Sequence, residues 1–114
     1  QEQVFGRTKL ESIELDDDVK PENSHVARTV VEDDEGEEME ILRHSLPYGD
    51  GKGEQGLFFV AYTNDLNIID AMLQRMFGTA GDGIHDRLLH FTTAVDGAYY
   101  FAPSDELLEE ILAV

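Results

Sequence analysis

The sequence predicts an α+β domain in which helices cover one face of an antiparallel sheet. Its apolar and β-branched stretches have the length of strands and are separated by turn residues. A later segment has the spacing and end signals of an amphipathic helix. The predicted order is strand, strand, strand, helix, short helix, strand, helix, which is typical of α+β domains. With 114 residues, 41% of them apolar, the chain has room for one domain with one core. The residues alone leave several α+β topologies open.

The first two strands are predicted to form a hairpin from residues 27–31 and 39–44, around the acidic turn 32–38. Such a hairpin would bring His25 and Arg43 to the same end of one ribbon. Imidazole is a common axial ligand of haem iron, and guanidinium is a fixed cation that can polarise a bound peroxide. Directly opposed Cα atoms are only about 4.5–5.5 Å apart, too close for a porphyrin between them. If both side chains served one haem, His25 would therefore lie just before the strand, in the loop after Pro21.

Residues 57–62 give the strongest strand signal in the chain, because all six are apolar or aromatic. A continuous apolar run predicts a central strand that is buried on both faces. Asn64 or Asp65 can cap the helix that follows, over residues 66–77, whose apolar positions form one stripe. Gly78 then suits the left-handed position at which such a helix ends.

The remaining elements are predicted from shorter signals. Residues 46–56 contain four glycines and one proline, a composition typical of a loop. Residues 86–91 predict a short helix, and the apolar run 98–102 predicts another strand. Ser104 can cap the last helix, whose first turn is acidic.

Composition excludes several functional classes. The 25 acidic residues outnumber 8 Lys and Arg, and the net charge of −17 argues against a nucleic-acid partner. The absence of cysteine excludes a disulfide framework and a thiolate ligand to haem. No apolar stretch approaches the roughly 18 residues of a membrane span, and the start has no secretory pattern. The sequence therefore predicts a cytoplasmic protein without a membrane partner.

Several stretches, all in one register along the chain, carry a family resemblance. They are residues 4–9, 16–18, 21–26, 41–49, 56–59, 86–92 and 99–104. Together they resemble the C-terminal half of dye-decolourising (DyP-type) haem peroxidases, and the likeness covers essentially all 114 residues. The resemblance implies a ferredoxin-like fold, duplicated across the two halves of the family's proteins. It also implies that residues 1–114 form a C-terminal haem-binding domain whose N-terminal half is absent.

The resemblance assigns roles to individual residues. His25 matches the proximal ligand of the iron in haem b, and Arg43 matches the distal arginine. Ser45 matches the polar neighbour of that arginine, and Asp86 matches an aspartate that holds the proximal imidazole. Two interpretations of Asp86 stay open, since it can also be a helix N-terminal carboxylate that interacts only with the helix dipole. Arg7 either approaches a haem propionate or lies at the surface.

The function implied by the resemblance is a peroxidase that reduces hydrogen peroxide and oxidises small phenolic, dye-like or other organic donors. The family's distal aspartate lies in a Gly-x-x-Asp-Gly motif that this chain lacks. The missing N-terminal half is therefore an expected partner, and a homo-oligomer is expected. The alternative is a non-catalytic haem-binding or ferredoxin-like dimerisation module.

Overall fold

The computed structural model describes residues 1–113, which form short helices around one antiparallel hairpin. The elements in chain order are α1 (Glu2–Phe5), α2 (His25–Thr29), β1 (Leu42–Tyr48), β2 (Gly56–Tyr62), α3 (Leu66–Phe77), a 3-10 helix (Arg87–His90) and α4 (Asp105–Leu112). This is the predicted α+β composition. In the part of the chain that the structure describes, no helix is both long enough and apolar enough to cross a membrane.

The prediction of a strand over residues 27–31 is wrong, because residues 27–29 belong to helix α2 and residues 30 and 31 lie in no strand. Ser24 caps this helix, and its side chain accepts a hydrogen bond from the backbone N–H of Ala27. The Thr29 hydroxyl donates to the carbonyl oxygen of His25 at 3.0 Å, inside the helix. A cap and a satisfied threonine hydroxyl favour helix where composition alone favoured strand. His25 is consequently the first residue of a helix and does not lie in a loop before a strand.

The acidic turn is present, but it does not join two long strands. Glu32 and Glu38 form an isolated antiparallel bridge, and the backbone N–H of Met39 donates to the Val31 carbonyl at 2.8 Å. The Asp33 carboxylate accepts from two backbone N–H groups within the turn. The turn is therefore closed locally by its own aspartate.

The hairpin of the structure pairs β1 with β2, in a register that sets Arg43 opposite Ala61 and Pro47 opposite Leu57. The strand predicted at 57–62 is confirmed, whereas its predicted central, doubly buried position is wrong. Both strands are edges of a two-stranded sheet, and Phe58 and Phe59 are more than half exposed. Strand β1 continues through Tyr48, so the predicted loop at 46–56 begins later. An edge strand accommodates Pro47, which has no N–H to donate.

Helix α3 matches its prediction at both ends. The Asp65 carboxylate accepts from the backbone N–H of Asn67 at 2.9 Å, so Asp65 is the cap. The helix ends at Gly78, whose φ of 76° lies in the left-handed region that favours glycine. On its inner face Met72 is buried and packs as a core residue.

The C-terminal part agrees with prediction in its helices only. Asp86 caps the 3-10 helix and Ser104 caps α4, both through side-chain oxygens. Residues 98–102 form no strand, and Tyr100 is 91% exposed. A strand needs a partner for its backbone N–H and C=O groups, and none pairs with this run within residues 1–113.

The described chain is more open than a complete domain of its size. Its radius of gyration is 16.9 Å, whereas a compact domain of about 100 residues has a radius near 13 Å. The buried apolar side chains are few: Val4, Val31 and Met72. Helices α2 and α3 pack against each other. The candidate site is built around α2.

Candidate functional site

The centre of the site is a histidine–aspartate pair joined across 61 positions of the chain. His25 Nδ1 lies 2.6 Å from Asp86 Oδ2, which confirms the contact expected between these side chains. Asp86 is fully buried, while the His25 side chain is 27% exposed. Because a carboxylate accepts hydrogen bonds, Nδ1 is the donor in this contact, and Nε2 is the ring nitrogen that the carboxylate does not engage.

Asp86 itself is fixed by contacts on each side. Its second oxygen, Oδ1, accepts from the backbone N–H of Leu88 at 2.9 Å. Its own N–H donates to the Met76 carbonyl at 2.9 Å, and the next N–H, of Arg87, donates to Asn23 at 2.8 Å. One oxygen thus caps the 3-10 helix and the other faces the imidazole. Asp86 is therefore a helix cap and also the hydrogen-bond partner of His25.

The N-terminal end of α2 is held by close packing around Ser24. Ser24 is fully buried and lies against Gly6 of the preceding segment. A Cβ at Gly6 would stand 2.9 Å from Ser24 Oγ, and Gly6 also has a φ of +81°. Only glycine fits both the backbone conformation and the space here. This contact fixes the backbone at His25, the residue after Ser24, and so fixes the point from which the His25 side chain projects.

The C-terminal end of α2 is held by two arginines that sequence reasoning did not identify. Arg28 Nε donates to the Arg75 carbonyl, and Arg75 Nε donates to the Arg28 carbonyl, both at 2.9 Å. Arg75 also donates to the carbonyl of Ala27 at 2.8 Å. Arg28 forms an ion pair with Asp82 at 2.7 Å. The Ile84 N–H and, after it, the Arg28 guanidinium lower the pKa of Asp82.

The other expected site residues lie elsewhere on the molecule. Arg43 and Ser45 share one face of β1 and are exposed, while His44 points to the opposite face, as expected from strand alternation. Among residues 1–113, no hydrogen bond or ion pair joins Arg43 or Ser45 to His25. Arg7 donates from Nε to Ser12 Oγ at 3.0 Å, and its Nη2 donates to the Ser12 carbonyl. The structure thus brings together His25 and Asp86 but not the remaining expected residues.

Comparison with known proteins places this geometry in a family. The family model described as "Dyp-type peroxidase, C-terminal" matches residues 1–107. The chain belongs to this family. A dye-decolorizing peroxidase of Mycobacterium tuberculosis is 48% identical over 110 residues, which cover 96% of this chain and 33% of the relative. One from Rhodococcus erythropolis is 45% identical over 111 residues, with coverages of 96% and 33%.

Solved structures of DyP-type proteins agree with the fold. A variant of Rhodococcus jostii DypB in complex with heme is 46% identical, has a TM-score of 0.88 and is matched over 96% of this chain and 36% of its own. A dye-decolorizing protein from Vibrio cholerae is 49% identical, with a TM-score of 0.86 and the same coverages. These likenesses confirm the ferredoxin-like α+β fold. The chain spans about a third of the length of these DyP-type relatives.

Proposed function

We propose that residues 1–114 are the C-terminal haem-binding domain of a DyP-type peroxidase. The complete protein would reduce hydrogen peroxide and oxidise small phenolic, dye-like or other organic donors. One observation carries the proposal: an imidazole is held through Nδ1 by a buried carboxylate at 2.6 Å, in a chain of this family. That arrangement is typical of histidines that bind metal through the other ring nitrogen.

The donor set fits haem b. His25 is partly exposed at the start of α2, so its Nε2 can reach a ligand, whereas the carboxylate behind it is shielded from water. The chain has no cysteine, so it offers neither a thiolate ligand nor a thioether link to haem. When bound, haem supplies the redox chemistry of peroxide reduction and one-electron donor oxidation. His25 would hold its iron through Nε2.

The chain's own residues would divide the remaining work. Asp86 fixes the tautomer and the plane of His25 and makes the imidazole more basic. Arg43 would supply a fixed positive charge beside bound peroxide, and Ser45, on the same face of β1, would supply a hydroxyl. Arg43 makes no ion pair within residues 1–113, so its donors are available. Arg7 would contact a propionate through the nitrogen that Ser12 does not use.

The missing N-terminal half is the proposed main partner. Large apolar side chains of β1, β2 and the 98–102 run are exposed in this chain, for example Leu57 and Phe101. Monomeric proteins rarely leave large contiguous apolar areas open to water. The N-terminal half would cover them and supply the distal aspartate. We further propose that the complete protein is a cytoplasmic homo-oligomer.

The test compares two histidine variants of the complete protein, His25→Ala and His44→Ala. Haem content is read from the Soret absorbance, and turnover from peroxide-dependent oxidation of a phenolic dye. We expect His25→Ala to lose specifically bound haem and turnover. We expect His44→Ala to keep both, because His44 lies on the face of β1 opposite to Arg43. Retention of haem by His25→Ala would remove His25 as the ligand. Haem binding by the wild type without turnover would favour the non-catalytic module.

A further inference from the structure

We propose that Arg28, Arg75 and Asp82 form a clamp that positions His25 against Asp86. The proposal rests on the proposed function, because it treats His25 as the haem ligand. The side-chain hydrogen bonds and the ion pair of these residues go to partners other than the imidazole, so they are positioning residues. They act by fixing α2 against the loop that carries Asp86.

Helix α2 needs outside support because it has only five residues. Isolated helices this short are unstable in water, since nucleation is costly and few hydrogen bonds repay it. The last carbonyl groups of any helix lack partners within that helix. The Arg75 guanidinium satisfies two of them, at Ala27 and Arg28. A cation there also complements the negative end of the helix dipole.

The two arginines lock the helices in both directions. Each Nε donates to the backbone carbonyl of the other residue, at the same distance of 2.9 Å. Arg75 lies in the last turn of α3, so the C-terminal ends of α2 and α3 are tied to each other. A slide or rotation of α2 would break both hydrogen bonds. It would also leave the guanidinium of Arg28, whose side chain is 3% exposed, without its acceptor.

The ion pair extends the clamp to the loop between α3 and Asp86. Asp82 accepts from Arg28 through Oδ2 and from the Ile84 N–H through Oδ1 at 3.1 Å. The pairs His25–Asp86 and Arg28–Asp82 are thus two cross-links between the same helix and the same loop. Arg28 follows His25 by about one helical turn. Asp82 precedes Asp86 by a similar number of residues. A change in one cross-link therefore moves the other.

The experiment uses the complete protein with Asp82→Asn and, as a matched control, Asp50→Asn. Asp50 also accepts from the N–H two residues ahead, that of Lys52 at 3.0 Å, but it has no arginine partner. In haem-free protein, hydrogen–deuterium exchange is measured by mass spectrometry over residues 86–88. We expect exchange about tenfold faster in Asp82→Asn, as loss of one hydrogen bond to a charged group implies. Asp50→Asn should match the wild type.

A second readout reports on the imidazole and not on the loop. In reduced, haem-loaded protein, the iron–histidine stretching band is measured by resonance Raman spectroscopy. We expect Asp82→Asn to shift it to lower wavenumber, because a displaced Asp86 leaves a less anionic His25. Asp82→Glu restores the charge and should move exchange and band back towards the wild type.

Each outcome bears on the clamp. Faster exchange with a shifted band, reversed by Asp82→Glu, supports it. Unchanged exchange overturns it, and so does faster exchange with an unchanged band, since Asp82 would then stabilise the loop only. If the wild type binds no haem, the proposed function fails. The hydrogen-exchange rates of the haem-free proteins then test the clamp by themselves. An exchange rate in Asp82→Asn equal to that in Asp50→Asn would overturn the clamp.

Discussion

Asp86→Asn should both destabilise the protein and raise the reduction potential of bound haem. In the wild type each carboxylate oxygen accepts from a different N–H, one on His25 and one on Leu88. An asparagine side chain has one acceptor oxygen and one NH₂ donor, so it cannot serve both. Because the position is fully buried, water cannot replace the lost partner. While Nε2 holds haem, Nδ1 must keep its proton, so the variant leaves either the imidazole N–H or the Leu88 N–H without an acceptor.

The magnitudes follow from that mismatch. A buried, unpaired donor costs about 1–3 kcal/mol of unfolding free energy. Replacing a charged acceptor by a neutral one weakens the imidazole hydrogen bond by about 1–1.5 kcal/mol. If all of this acts on the ferric state, the one-electron potential rises by at most about 65 mV, at about 59 mV per tenfold change in equilibrium constant. The sign is upward because a less basic imidazole stabilises ferric iron less.

The assays are denaturant unfolding of the complete protein and spectroelectrochemical titration of its haem. Asp65→Asn is the matched control, because Asp65 caps α3 through a single acceptor and is exposed. Asparagine caps helices about as well as aspartate, so this variant should be nearly neutral. An unchanged or lowered potential in Asp86→Asn would remove Asp86 from the site. Equal destabilisation in both variants would refute the argument from two acceptors.

Three further expectations concern other parts of the chain. Arg43→Leu in the complete protein should slow the reaction with peroxide about 10²–10³-fold and leave the haem content normal, since one preorganised charge is lost. Stopped-flow absorbance measures this rate. Loss of haem instead would indicate a structural role for Arg43. Gly78→Ala should lower the melting temperature more than Gly81→Ala. Both glycines have positive φ, but a Cβ at Gly78 would lie 2.7 Å from His85 Nε2, whereas a Cβ at Gly81 meets no atom within 4 Å. Equal shifts in melting temperature would contradict this. The pKa of Asp82 is lowered from its ordinary value of 3.8, so its contribution to stability is present above that value and is lost as pH falls through the pKa of the folded state. The stability difference between wild type and Asp82→Asn should therefore narrow in acid. A constant difference in denaturant midpoint would argue against it.

The parts that sequence predicted well are those fixed by local signals. Helix α3 begins at a capping aspartate and ends at a glycine with positive φ, and both signals lie within the helix's own segment. The same holds for the caps at Asp86 and Ser104. The approach of His25 to Asp86 had no local signal and followed only from the family resemblance. A pair 61 positions apart is set by tertiary packing.

The failures have the same physical origin. The β-branched run around Thr29 suits strand or helix, and the decision depends on the Ser24 cap and on burial of Arg28 by distant residues. The run 98–102 suits a strand, but no segment of residues 1–113 pairs with it. The arginine clamp could not be predicted because most of its acceptors are backbone carbonyls. Any residue type can supply those.

The sequence separation of His25 and Asp86 has a consequence for biosynthesis. A ribosome adds about 5–20 residues per second. The 61 positions between the two residues therefore correspond to about 3–12 s of synthesis. During that interval the emerging imidazole has no carboxylate to hold its ring. The hairpin of β1 and β2 emerges within the same interval, with its apolar side chains uncovered. Haem can therefore be bound in the geometry proposed here only after Asp86 has been synthesised.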